Sequence, residues 1–206
     1  MSASRSLARL APLLVLAACE NSSAGRSSLP AAATTQPLSN PPAVSMTAVP
    51  PPPTAKEPAS DELVGKPAPD FDETAHDGTT LHLAKLRGKP VVIYFYPKDE
   101  TPGCTKEACS LRDTWPAIQK TGAVILGVSA DTHDSHIAFA GHHKLPFLLL
   151  SDPQGTLARA YGVPFSGVHK RQTVVIGKDG KVRKVYRTVD VGVHAQQILS
   201  DLQSIE

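Results

Sequence analysis

Val91-Val92-Ile93-Tyr94-Phe95-Tyr96 is an unbroken apolar, β-branched and aromatic run that stops at Pro97, the pattern of a central strand buried on both faces. Ala123 to Val128 and Phe147 to Leu150 repeat it. Between these runs the period changes. Ala108, Leu111, Trp115 and Ile118 recur at spacings of three and four, which predicts a helix with one buried face that starts near Cys104, after a turn at Thr101-Pro102-Gly103. Thr132 to Gly141 is a second predicted helix, with Asp131 placed to cap it. Strand, helix, strand, helix, strand is an order that parallel pairing with crossover helices satisfies.

On either side of this unit the pattern changes again. Phe71 to Thr74 and Thr80 to His82 flank His76-Asp77-Gly78, as the arms of an N-terminal β-hairpin would. After a short helix at Gln154 to Tyr161, the runs Thr173 to Ile176 and Val182 to Tyr186 bracket Lys178-Asp179-Gly180 as a second hairpin, and Val193 to Ile205 forms a last helix. Parallel strands joined to an antiparallel hairpin give an α/β fold, a thioredoxin-like mixed sheet flanked by helices.

Composition divides the 206 residues into three parts. Every aromatic residue lies between Phe71 and Tyr186, whereas the first 60 residues hold ten of the 19 prolines and no Phe, Tyr or Trp. No core forms from such a segment. Arg5 and Arg9 precede an apolar run from Leu10 to Ala18, a charged start and short apolar stretch of the kind that directs secretion and too short to span a bilayer. Leu16-Ala17-Ala18-Cys19 resembles the lipobox of bacterial lipoproteins, which implies cleavage after residue 18 and a lipid on Cys19. The expected organisation is a signal peptide at 1–18, a lipidated Cys19 with a Pro/Ala-rich tether through 61, and a folded domain at 62–206. That places the protein in the cell envelope, held to a membrane on the periplasmic face or exterior. Without Arg5 and Arg9 the formal charge of +2 falls to zero, and no basic stripe with interleaved aromatics appears, so nucleic acid is not an expected partner.

With Cys19 committed to the anchor, Cys104 and Cys109 remain. Cys104 falls where the first buried strand ends and a helix begins, the crevice in which open α/β sheets bind ligands. Unsatisfied N–H groups and the positive helix end there favour an anionic sulfur. A more acidic thiol is also a weaker nucleophile, with a Brønsted slope of about 0.4–0.5. Any large rate therefore has to come from donors that stabilise charge while a bond breaks.

The segment Pro97-Lys98-Asp99-Glu100-Thr101-Pro102-Gly103-Cys104-Thr105-Lys106-Glu107-Ala108-Cys109 resembles the active-site signature of peroxiredoxins of the bacterioferritin-comigratory, or Q, type. The likeness runs from about Leu63 to Glu206 and includes Gly127-Val128-Ser129, Leu145-Pro146-Phe147, Leu150-Ser151-Asp152 and Arg171. It implies a thiol-dependent peroxidase for hydrogen peroxide and organic hydroperoxides, without metal or organic cofactor. Cys104 would attack the peroxide and become a sulfenic acid, and Cys109 would resolve it as an intramolecular disulfide. Thr101, Pro97 and Arg171 would complete the catalytic set by hydrogen bonding, excluding water and supplying positive charge, with Glu107 orienting its neighbours. The resemblance further implies a monomer reduced by a thioredoxin-like protein, although an envelope protein faces a compartment where disulfides are kept oxidised.

Other readings of the same residues remain. Cys104 and Cys109 could form a static disulfide, although five residues of helix would strain one. A thiol–disulfide oxidoreductase of this fold would separate its cysteines by two residues rather than four. A copper-binding protein would want three between them and a distal ligand, for which His169 or His194 could be offered. The pairs His133/His136 and His142/His143 suggest a metal, but no carboxylate or thiol is expected to complete a site, and they read as solvated helix histidines.

Overall fold

The computed structural model describes residues 60–205. The expected signal segment, Cys19 and all of the tether but residues 60 and 61 lie outside the described residues. A hairpin of β1 (Asp72–Thr74) and β2 (Thr80–His82) precedes the main elements. These are β3 (Val91–Phe95), α1 (Pro102–Lys120), β4 (Val124–Ser129), α2 (His133–His143), β5 (Leu148–Ser151), α3 (Thr156–Ala160), β6 (Gln172–Ile176), β7 (Val182–Tyr186) and α4 (His194–Ser204). Five strands form one sheet in the order β5-β4-β3-β6-β7. β3, β4 and β5 are parallel, and β6 and β7 are antiparallel.

β3 has a neighbour on each edge and a packed layer on each face, so all five of its residues are buried. Alternation along the strand sorts them. Val92 and Tyr94, continued by Tyr96, face Leu111 and Ile118 of α1, Phe139 of α2 and Ile198 of α4. Val91, Ile93 and Phe95 face Phe71, Leu81, Leu83 and the Leu157 and Tyr161 region of α3. Gly127 lies in register between Tyr94 and Leu149. A Cβ there would stand 2.6 Å from the Tyr94 hydroxyl, so the tyrosine layer requires glycine on its neighbour strand.

The helix ends differ from the sequence expectations in ways that bear on the site. α1 begins at Pro102 rather than near Cys104, because proline's fixed φ suits the first helical position, where an N–H would have no partner. The helix also continues past Pro116, and Trp115 is only partly buried. α2 is capped by Thr132, whose Oγ1 accepts from the Ser135 amide at 3.3 Å. Asp131 is not the cap: its carboxylate accepts from the Ser129 hydroxyl at 2.7 Å and the Asp99 amide at 2.8 Å. Two 3-10 turns, Ser60–Leu63 and Leu83–Leu86, had no counterpart in the periodicity.

The stretch between these turns closes the sheet. Val64 and Pro67 bridge to Val182 and Lys181 at the start of β7, while Ala75 bridges to Leu150 of β5. The His76 amide adds a bond to the Leu149 carbonyl at 2.9 Å.

Candidate active site

Cys104 sits in the first turn of α1 and is 2% exposed. β6 pairs antiparallel with β3, setting Gln172 opposite Phe95. Arg171, one residue earlier, is thereby delivered to the turn that leaves β3. Its Nη2 donates to Cys104 Sγ at 3.1 Å, and its Nη1 donates to Glu107 Oε2. Glu107 follows Cys104 by three residues on the same helix face and is 1% exposed. Burial pushes its carboxyl up to about 7, against the pull of Arg171. The guanidinium thus spans thiol and carboxyl as a planar fork with fixed charge.

Pro97 is partly buried at the end of β3. Thr101 was expected to hydrogen-bond beside the sulfur. Its hydroxyl instead donates to the Lys98 carbonyl at 2.9 Å, closing the turn that aims α1. Gly103, expected in the turn before the helix, lies inside α1, and a Cβ on it would stand 3.4 Å from Arg171 Nη2, at ordinary contact distance.

Cys109 is also buried, and no disulfide joins it to Cys104. Five residues of continuous helix amount to about 7.5 Å of rise and a rotation near 140°, so the two sulfurs face different neighbours. Cys104 faces Arg171, whereas Cys109 Sγ lies 4.0 Å from His143 Nδ1 on α2.

The histidines are where sequence reasoning missed most. His136 is not solvated. It is fully buried, with Nδ1 2.9 Å from Asp99 Oδ2 and Nε2 3.2 Å from the Leu150 carbonyl. Asp99 also accepts from the Tyr96 hydroxyl and the Ser135 hydroxyl, each at 2.7 Å. Burial opposes its ionisation, but the bonds from His136, Tyr96 and Ser135 outweigh that and hold the carboxyl below its usual range. Together with the bond from the Asp99 amide to Asp131, this network pins the active-site turn to the start of α2. A carboxylate also joins His142 and His143, contrary to expectation. Glu100 Oε1 accepts from His142 Nδ1 at 3.1 Å and Oε2 from His143 Nε2 at 2.9 Å. The trio brings its ligand-type atoms within 4.8 Å of one another, but each carboxylate oxygen already has a donor, and it is complete as a hydrogen-bonded cluster. Asp99 and Glu100 stood in plain view within the 97–109 motif as unassigned acids beside a buried strand. His169 and His194, offered as copper ligands, are buried on Asp152 at 3.1 Å and Thr173 at 2.8 Å.

Residues 64–185 match the AhpC/TSA family. A chloroplastic peroxiredoxin Q of Populus jackii is 45% identical over 145 residues, which are 68% of this chain and 68% of that protein. The crystal structure of the peroxidoxin BcpB of Mycobacterium tuberculosis superposes with a TM-score of 0.64 at 36% identity, covering 70% of this chain and 98% of that one. A structure of the bacterioferritin comigratory protein of Xanthomonas campestris, described with that protein's alkyl peroxide reduction activity, gives a TM-score of 0.62 at 34% identity over 65% of this chain and 90% of its own. With a buried thiol held under an arginine at the head of α1, the chain belongs to the AhpC/TSA family, among the peroxiredoxins of the Q and bacterioferritin comigratory type, and is a thiol peroxidase.

Proposed function

We propose that Cys104 reduces hydrogen peroxide and small organic hydroperoxides and that Cys109 resolves the product. The sulfur of Cys104 attacks one peroxide oxygen, the O–O bond breaks, and the departing oxygen leaves as water or an alcohol once protonated. Cys104 is then a sulfenic acid. The observation that carries this reading is the 3.1 Å bond from Arg171 Nη2 to Cys104 Sγ, with the other arm of the guanidinium anchored on buried Glu107. A donor fixed at the sulfur before the reaction stabilises charge as the O–O bond breaks without reorganising. The alkyl peroxide activity named for the Xanthomonas campestris protein supports organic hydroperoxides as substrates here.

Cys109 condenses with the sulfenic acid, forming an S–S bond with loss of water, and a thioredoxin-like protein dithiol reopens the disulfide. A lipid on Cys19 and the tether through residue 61 hold the enzyme at the envelope membrane. The test is peroxide consumption by the full chain with a protein thiol reductant. Cys104→Ser abolishes turnover, Cys109→Ser stalls at the sulfenic acid, and Arg171→Lys slows the peroxide step about a hundredfold or more, the usual scale for a lost transition-state donor. A wild-type rate no faster than that of a simple thiol overturns the reading.

A further inference from the structure

We infer that His143 is the catalytic base for the resolving thiol and that Glu100 positions it, a role that rests on Cys109 resolving the sulfenic acid. The geometry is that of an activated nucleophile: a thiol within reach of an imidazole whose far nitrogen is fixed by a third group. A carboxylate only accepts, so the hydrogen of the imidazole stays on Nε2, 2.9 Å from Glu100 Oε2. Nδ1 then offers its lone pair to Cys109 Sγ at 4.0 Å. His142 bonds to the other oxygen of Glu100 and lies against the His143 ring with centroids 4.4 Å apart, while Phe139 meets that ring edge-on at 4.9 Å. Arg112 donates to the His143 carbonyl at 2.8 Å.

Two further observations single out this cluster. Among the described residues, Glu100 and Lys144 are the non-glycine positions with positive φ, at 56° and 52°. Such a conformation is disfavoured for a side-chain-bearing residue and collects at functional sites. Glu100 is the acid of the cluster, and Lys144 makes the left-handed cap directly after His143. Secondly, His143 keeps only 11% of its side chain exposed and Cys109 is 8% exposed, so a base built into the packing replaces the solvent that this thiol scarcely meets.

The step balances without any outside oxidant. Nδ1 takes the Cys109 S–H proton, and the thiolate attacks the sulfur of the Cys104 sulfenic acid. The S–S bond forms as the S–O bond breaks. The departing hydroxide collects a proton from solvent and the imidazolium returns its own, so one water is lost overall. Proton transfer occurs while α1 is folded, and Cys109 leaves His143 already charged when the first turns of the helix release it.

The experiment is single-turnover oxidation of the full chain by hydrogen peroxide in the presence of a chelator, following sulfenic acid formation and disulfide formation separately. In His143→Gln, disulfide formation slows at least about tenfold near pH 7, and the deficit closes toward about pH 9, where hydroxide removes the proton unaided. Glu100→Gln gives a smaller slowing with the same pH trend. Among the described residues, the charged and titratable groups in contact with His143 include Glu100, His142, Cys109 and Arg112, and the trend is read with the last three unchanged. An unaltered rate in His143→Gln, or equal slowing at every pH, overturns the assignment while leaving Cys109 as the resolving thiol. Disulfide formation that persists in Cys109→Ser removes the thiol itself and overturns the resolving role with it.

Discussion

Glu107 and His194 load opposite pH dependences onto the folded state. Burial raises the Glu107 carboxyl from 4.5 to about 7, so the native protein holds this proton more tightly than the unfolded chain does. The associated stability is full below about pH 4.5 and is lost as pH rises through 7. Burial, reinforced by the nearby charge of Arg171, lowers His194 from 6.5 to about 4. The unfolded chain protonates this histidine first, so its contribution is present above about pH 6.5 and is lost as pH falls toward 4. Each amounts to roughly 3 kcal/mol. Melting followed across this range should show Glu107→Gln losing less stability than wild type between pH 4.5 and 7, and His194→Gln losing less on the acid side. Parallel profiles in wild type and both variants would contradict these assignments. Cys104 and Glu107 stand within the 97–109 segment and Arg171 was named through the family resemblance, and the structure brings the three side chains together. His136 and His143 were not legible. Both lie on a helix whose polar residues look solvated in sequence, and only the path of the 97–104 turn brings Asp99 and Glu100 against them.

At the scale of elements, α1 carries two conflicting demands. Its first turns hold Cys104 under Arg171, yet a regular helix keeps Cys109 about 7.5 Å further along the axis and turned away. A disulfide needs the two Cβ atoms within roughly 4.5 Å, so these turns unwind when it forms. Amide exchange over residues 105–111 should therefore be much faster in oxidised than in reduced protein, and equal protection in the two states would count against the cycle. Strands and long helices were readable because several residues repeat a period. The two 3-10 turns are too short to show one. The cap of α2 was misplaced by one residue because Asp131 and Thr132 are both able caps, and the choice turned on Asp131 being taken by the Asp99 amide and the Ser129 hydroxyl.

For the whole molecule, the lipid expected on Cys19 gives a direct test. Expressed in a bacterial host, the full chain should sediment with membranes and Cys19→Ala should move to the soluble envelope fraction; a wild-type protein already soluble would remove the anchor. How the sheet ends has a consequence of another kind. Were α1 to loosen on disulfide formation, as proposed, the aromatic layer of Tyr94 and Tyr96 beneath it would lose part of its cover. An open sheet in that state would invite strand addition from a second molecule and, with it, aggregation. Here the segment before β3 lies along the start of β7 and its hairpin along β5, while Arg183 and Lys184 charge what remains of the β7 edge. The proposed opening of the catalytic helix would thus proceed without offering the template on which fibres grow.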